Sequence, residues 1–139
     1  MNRQPTSRWA SLTVMLCASL LAAHASADDT LFRERVAPIF EKHCVRCHNA
    51  ADHKGGLSLA TAEAVRKGGE SGAVLVPSKP DASLLIQYVT GDKPEMPKNS
   101  PPLSAQQVAA LREWIAAGAI WPADLALKDK QFEGQVWWS

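Results

Sequence analysis

The sequence carries almost no net charge, and this balance excludes several classes of partner. Its 139 residues contain 15 Lys and Arg against 14 Asp and Glu. A chain of this kind lacks the basic excess of proteins that bind nucleic acid or anionic membranes. The sequence shows no internal repeat and no low-complexity tract. Length and composition therefore favour one small domain with a modest core.

The sequence has one long apolar run, and it lies at the start of the chain. The run covers residues 9–23. Arg3 and Arg8 precede it, and the small residues Ala25-Ser26-Ala27 follow it. A positive start, a short apolar stretch and a small-residue cleavage site are typical of a secretory signal. We therefore predict that residues 1–27 are a cleaved signal peptide and that the protein is periplasmic or otherwise exported.

Two other readings of the leader are weaker. An uncleaved membrane anchor would need about 20 apolar residues, and this run is shorter. Lipid attachment at Cys17 would need a small residue before it, where the chain has Leu16. We therefore expect no stable membrane span after cleavage.

Cysteine and methionine are scarce, and cleavage would make them scarcer. Of three cysteines and three methionines, the chain after residue 27 keeps Cys44, Cys47 and Met96. It also loses two arginines, which leaves a formal charge of −1. An exported protein commonly uses a cysteine pair for a disulfide, so a bond between Cys44 and Cys47 is one interpretation.

The surroundings of this cysteine pair favour another chemistry. Cys44-Val45-Arg46-Cys47-His48 is a C-x-x-C-H motif, the attachment signature of a c-type haem. Two thiols at this spacing can each add to one haem vinyl group, and the adjacent histidine can bind the iron. We therefore predict one covalent haem c, held by Cys44 and Cys47, with His48 as the proximal iron ligand.

Met96 is the candidate for the second, distal iron ligand. It lies in Lys93-Pro94-Glu95-Met96-Pro97-Lys98, where the prolines stiffen the loop and charged neighbours make a core position improbable. A thioether is a soft, uncharged ligand that raises the reduction potential of haem.

Other residues near the motif have competing or supporting roles. His43 and His53 are rival ligands, but both are interpreted as surface histidines because neither easily reaches the opposite face of a haem. His48 is expected to donate its second ring N–H to a backbone carbonyl of residues 55–59, as metal-bound histidines usually do.

The apolar spacing after residue 28 predicts an all-α domain. A first helix is expected to begin at Asp29 or Thr30 and to place Phe32, Val36, Ile39, Phe40 and His43 on one face. Pro38 predicts a kink or a ragged first half, followed by a firm final turn into Cys44.

Three further helices are predicted. The second covers residues 61–67 and ends at Gly68-Gly69, and the third covers residues 81–90, with an apolar side of Leu84, Leu85 and Tyr88. The fourth starts with a capping box of Ser104 and Gln107, buries Val108, Leu111, Trp114 and Ile115, and ends at Gly118.

With these motifs in place, the chain resembles the class I cytochrome c superfamily, and more closely the planctomycete-type cytochrome c domain. The haem motif alone points to haem, and the subfamily is indicated by Gly-Gly-Glu-Ser-Gly and Lys-Pro-Asp-x-Ser. The matching stretches are residues 39–40, 44–48, 54–59, 67–72, 76–85, 95–97 and 114–119.

The resemblance implies a small cytochrome c-like fold with haem between the N- and C-terminal helices, His48 proximal and Met96 distal. It implies a cytochrome c domain over residues 28–122, followed by a polar tail over residues 123–139. Since this domain often precedes much longer chains, the tail looks like the start of a join to a downstream region, although a free-standing cytochrome fits the sequence as well. Val36 stands where many relatives have glycine at the crossing of the terminal helices.

The function that this resemblance implies is electron transfer, with unidentified redox proteins as partners and no enzymatic activity. Two alternatives stay open: a five-coordinate haem sensor or enzyme with an open distal site, and a zinc-binding module using Cys44, Cys47, His48 and His53. The zinc reading is weak because Cys47 and His48 are adjacent. A thioredoxin-like pair lacks the β-α-β pattern around it.

Overall fold

The structure, a computed structural model, describes residues 29–130 and is helical. Its α-helices are α1 (Ala37–His43), α2 (Ala62–Lys67), α3 (Leu84–Val89) and α4 (Ala105–Ala116), with a π-helical turn at Phe32–Val36 and 3-10 turns at Lys54–Gly56 and Pro80–Ala82. Residues 29–130 contain no β-strand, only two isolated backbone bridges. The all-α expectation is therefore confirmed for this part of the chain, while the predicted signal peptide lies outside it.

The first helix widens just before Pro38 instead of breaking there. The N–H of Ala37 bonds to the carbonyl of Phe32, five residues back, and Pro38 then stands in the first turn of α1. Proline has no N–H to give and its ring crowds the preceding turn, so it is best tolerated at the start of a regular helix. The predicted irregularity at Pro38 is thus confirmed as a π-helical turn.

Aromatic rings join the N-terminal helical segment to α4. The ring centroids of Phe32 and Trp114 are 5.3 Å apart, and those of Phe40 and Trp114 are 5.7 Å apart. Trp121, which follows α4, lies 4.3 Å from Phe32. Phe32, Phe40 and Trp114 are almost fully buried, so these tilted and edge-on contacts form the centre of the core.

Helix α4 begins and ends as its sequence predicts. The N–H of Gln107 donates to Ser104 Oγ at 3.2 Å, and the N–H of Ser104 donates to Gln107 Oε1 at 2.9 Å. This is a complete capping box. At the other end Gly118 has a φ of +106°, a left-handed conformation that ends the helix at low cost.

Helix α3 is shorter than predicted. The 3-10 turn at Pro80–Ala82 takes the place of its first residues, and the helix begins at Leu84 after Ser83. The prediction of a start at Asp81 was wrong because the backbone of Ser83 is extended, with φ −85° and ψ 124°, and separates the 3-10 turn from α3. The fully buried side of α3 is also shifted: it consists of Leu85, Ile86 and Val89, while Leu84 and Tyr88 are half-buried.

Ser83 is the one uncharged polar side chain in the buried interior of the described residues. Its Oγ accepts from the N–H of Val76 at 2.9 Å and donates to the carbonyl of Lys79 at 3.0 Å. The serine of the Lys-Pro-Asp-x-Ser motif therefore fastens the loop of residues 76–79 to the start of α3, and its role is structural.

Replacing Ser83 by alanine should test this role. The variant leaves the N–H of Val76 without its acceptor in a half-buried place, so we expect the free energy of unfolding to fall by about 1–3 kcal/mol. Chemical denaturation would measure the change. Ser100, exposed in the loop before α4, provides the control. An alanine there should change stability by less than about 0.5 kcal/mol, and an equal loss in both variants would contradict the assigned role.

The segment after Pro122 folds back onto the domain. The N–H of Leu127 donates to the carbonyl of Ala60 at 2.8 Å, and the Leu127 side chain is only 3% exposed. Lys130 Nζ lies 2.6 Å from the carboxylate of Glu41 on α1. Residues 123–130 are therefore packed against the helices. The domain boundary at residue 122 stays a prediction, and residues 131–139 of the predicted tail lie outside the described residues.

Candidate haem-attachment site

The C-x-x-C-H motif forms a tight turn directly at the end of α1. The N–H groups of Cys44 and Val45 both donate to the carbonyl of Phe40 at 2.9 Å. The N–H groups of Cys47 and His48 then donate to the carbonyl of Cys44 at 3.1 and 3.0 Å. Two thiols and an imidazole thus come from one hydrogen-bonded turn whose first residues are anchored to a buried aromatic.

The two cysteines of this turn are half-buried free thiols. Burial of the Cys44 thiol, followed by the field of Cys47, raises its pKa to about 12. The residue as a whole keeps some exposed surface, but the thiol itself is surrounded by protein.

His48 has a buried ring nitrogen that nothing in the structure satisfies. Its Nδ1 is enclosed and makes no hydrogen bond. The predicted carbonyl acceptor from residues 55–59 is wrong for this structure. That loop instead gives the N–H of Leu59 to the backbone carbonyl of His48 at 2.7 Å, and the carbonyl of Gly55 accepts from Glu70.

The chemistry of this donor set fits a c-type haem. A buried polar atom without a partner costs about 1–3 kcal/mol, so a folded chain seldom keeps one without a reason. Because Nδ1 of His48 is enclosed, the other ring nitrogen, Nε2, is the one that would bind the iron of a haem attached to the two free thiols of the same turn. Cys44, Cys47 and His48 would hold that group.

Met96 lies in the loop that follows α3, and a backbone hydrogen bond connects it to that helix. Its N–H donates to the carbonyl of Tyr88 at 3.0 Å. The side chain is half-buried and packs against the apolar core, whereas Glu95 and Lys98 are exposed. The expectation that Met96 avoids the core is therefore wrong in part, because the backbone bond to α3 turns the loop inward. Its ligation of iron stays a prediction.

The two rival histidines differ in their surroundings. His53 is exposed, as expected. His43 is not a surface histidine: it is half-buried, and its Nε2 lies 3.1 Å from Nε2 of Gln107 on α4. Within residues 29–130 no three His, Cys, Asp or Glu side chains come together as a metal-ion site. Cys44, Cys47, His48 and His53 therefore do not converge as the zinc reading requires.

Two glycine-rich stretches meet on the far side of the loop that follows His48. The N–H of Glu70 donates to the carbonyl of Gly55 at 2.8 Å. A β-carbon on Gly69 would lie 2.7 Å from the same carbonyl oxygen, closer than such atoms approach in proteins. Sequence reasoning missed this contact, although both glycine pairs were visible as motifs. The residues that resemble the family therefore include this close backbone contact between the two glycine-rich stretches.

Replacing Gly69 by alanine is expected to push the two stretches apart. The added methyl group has no space beside Gly55, so the free energy of unfolding should fall by about 1–3 kcal/mol, measured by denaturant titration. Ser71 lies exposed in the same turn and serves as the control. If alanine at Ser71 destabilises the protein as much as alanine at Gly69, the close approach is not the cause.

Two hollows on the described surface lie away from the motif. One, of about 440 Å³, is lined mainly by apolar residues, among them Leu75, Trp114 and Trp121. The other, of about 460 Å³, lies between the loop after α3 and the start of α4. Neither is lined by Cys44, Cys47, His48 or Met96, so the haem assignment rests on the turn and its chemistry.

Comparison with known proteins agrees with this chemistry. Residues 44–100 match a family described as Planctomycete cytochrome C, and the match begins at the first cysteine of the motif. No curated protein and no solved structure matches the chain. No helix in residues 29–130 has the length and apolar character needed to cross a membrane.

The family match bears directly on the function. A cytochrome c domain indicates a role in haem binding and electron transfer, and it implies haem c as the cofactor. Cys44, Cys47 and His48 are compatible with this, because they form the attachment motif at the start of the matched stretch. Residues 44–100 are therefore similar to the planctomycete-type cytochrome c domain, as the sequence motifs predicted.

Proposed function

We propose that the protein is an exported mono-haem cytochrome that carries single electrons between redox proteins. One haem c would be bound through thioether bonds to Cys44 and Cys47, with His48 as the proximal iron ligand and Met96 as the distal one. The observation that supports this most strongly is the hydrogen-bonded turn that brings both thiols and an unpartnered imidazole together.

Each residue of the turn has a defined task in this proposal. Each cysteine would add its S–H across one vinyl group of the haem, and this addition forms a carbon–sulfur and a carbon–hydrogen bond without any oxidant. His48 would supply an imidazole nitrogen. Its backbone is fixed on both sides, because its N–H donates to the carbonyl of Cys44 and its carbonyl accepts from the N–H of Leu59. When bound, the haem supplies reversible one-electron chemistry at iron.

Met96 would complete the ligand set from the opposite side of the cofactor. Its backbone bond to Tyr88 links the loop to α3, and core packing restrains its side chain. A thioether held in this way stabilises the reduced state and leaves no open position for a substrate. This arrangement suits a carrier rather than an enzyme.

Absorption spectra of the purified protein would test the proposal. The chain would be co-expressed with a haem-attachment system, and spectra would be recorded oxidised and after dithionite. We expect a haem-stained band on a denaturing gel, sharp reduced bands and a weak ferric charge-transfer band at the red end. A stained band with a high-spin spectrum and rapid carbon monoxide binding would favour an open-site sensor or enzyme. Absence of covalent haem would refute both.

A further inference from the structure

His43 contacts α4 through a hydrogen bond that fixes which ring nitrogen carries the proton. Its Nε2 lies 3.1 Å from Gln107 Nε2. An amide nitrogen can only donate, so the imidazole Nε2 must accept. The neutral ring therefore carries its proton on Nδ1.

The Gln107 amide cannot turn round without cost. Its Oε1 accepts from the N–H of Ser104 at 2.9 Å, and this bond is half of the capping box of α4. Turning the amide would place its NH₂ group against the N–H of Ser104, so donor would face donor. The capping box thus fixes the donor that His43 meets.

We propose that His43, Gln107 and Ser104 form a proton-sensitive clasp between the end of α1 and the start of α4. When His43 is neutral, the clasp is closed. A protonated imidazole carries N–H groups on both nitrogens and cannot accept from Gln107. Either the contact between the helices then opens, or the amide turns and the capping box is lost.

The surroundings of His43 also favour its neutral form, in which the clasp is closed. Burial, and then the field of Lys42, lower the pKa of the imidazole. Cys44 adds no charge beside the ring, whether as a neutral thiol or as a haem thioether, so Lys42 is the charged group whose field acts on it. Gln107, the group that faces it from α4, is uncharged.

The sign of the pH effect follows from this lowered pKa. As pH falls below the unfolded value of about 6.5, the unfolded chain takes up a proton that the folded chain resists. Stability is therefore lost as pH falls through that value, and the loss is complete once the pH is below the folded pKa. Protonation of His43 in acid would thus break the contact between the end of α1 and the start of α4.

Four proteins would test the clasp by thermal unfolding at about pH 7.5 and about pH 5. The wild type should lose melting temperature on acidification. H43Q keeps an acceptor but cannot titrate, so its loss should be smaller. Q107E can keep the capping box and offers a carboxylate to the imidazolium, so its loss should shrink or reverse. H53Q alters an exposed histidine and should behave as the wild type does.

NMR titration of the His43 ring gives a second measurement that does not depend on how stable each variant is. Its pKa should lie below the ordinary value in the wild type and rise in Q107E. The clasp is refuted if H43Q loses as much stability in acid as the wild type, or if Q107E leaves the His43 titration unchanged. These outcomes do not depend on whether Met96 binds iron.

Discussion

Replacing both Cys44 and Cys47 by alanine is expected to abolish covalent haem attachment. The two thiols come from one turn at the end of α1, and no other cysteine lies in residues 29–130. Without them no thioether can form, and the haem stain on a denaturing gel should disappear completely. Intact-mass spectrometry should show the mass of a single haem on the wild-type chain and none on the double variant.

The single variants and one distant cysteine provide the controls. Cys44→Ala and Cys47→Ala should each retain at most one thioether, so their haem stain should be weakened rather than unchanged. Cys17→Ala removes a cysteine from the predicted signal peptide and should leave attachment at the wild-type level. A mass of two haems on the wild type, or undiminished staining of the double variant, would overturn the proposed attachment.

Substitution of Met96 is expected to change the chemistry of the iron while leaving the haem attached. In Met96→Ala the thioether is gone, so the red-end charge-transfer band should vanish and carbon monoxide should bind readily. The midpoint potential should fall by on the order of 0.1 V, within the range of about 0.8 V over which axial ligands tune haem. Spectra and potentiometry would measure these changes.

Met96→Leu separates ligation from packing. Met96 is half-buried and packs against the core, so alanine alone would also leave a gap there. Leucine has a similar volume and usually costs less than about 1.5 kcal/mol, but it has no sulfur. Loss of the band in both variants would support ligation. A leucine variant with the wild-type spectrum and potential would show that Met96 is a packing residue only.

Features that depend on neighbours in the chain were predictable from the sequence. The capping box of Ser104 and Gln107 forms as predicted because both partners lie within one helical turn. Thr61 caps α2 through a bond from the N–H of Ala64 at 3.2 Å, for the same reason. The attachment motif is local too, since its spacing alone specifies two thiols and an imidazole on one turn.

Features that depend on distant contacts were not predictable in this way. Asp81 lies at the predicted start of α3, and nothing near it in the sequence reveals its ion pair with Arg112 of α4. Leu127 lies in a polar stretch, and only its bond to Ala60 shows that this stretch packs on the domain. His43 was taken for a surface residue because nothing near it in sequence reveals Gln107. Each error concerns a partner that the fold brings from elsewhere.

The π-helical turn acts as a correction of helical register. In a regular α-helix, four residues rotate past a full turn by about 40°, so side chains spaced by four drift sideways. The wider turn at Phe32–Val36 rotates less per residue and offsets the drift of the regular turn that follows. Phe32, Val36 and Phe40 are all fully buried, and the two phenyl centroids are 6.4 Å apart. The π-helical turn holds one residue more than an α-helical turn, and this residue keeps Phe32, Val36 and Phe40 in one line facing α4. Deleting one residue between Phe32 and Val36 would turn Phe32 away from Trp114.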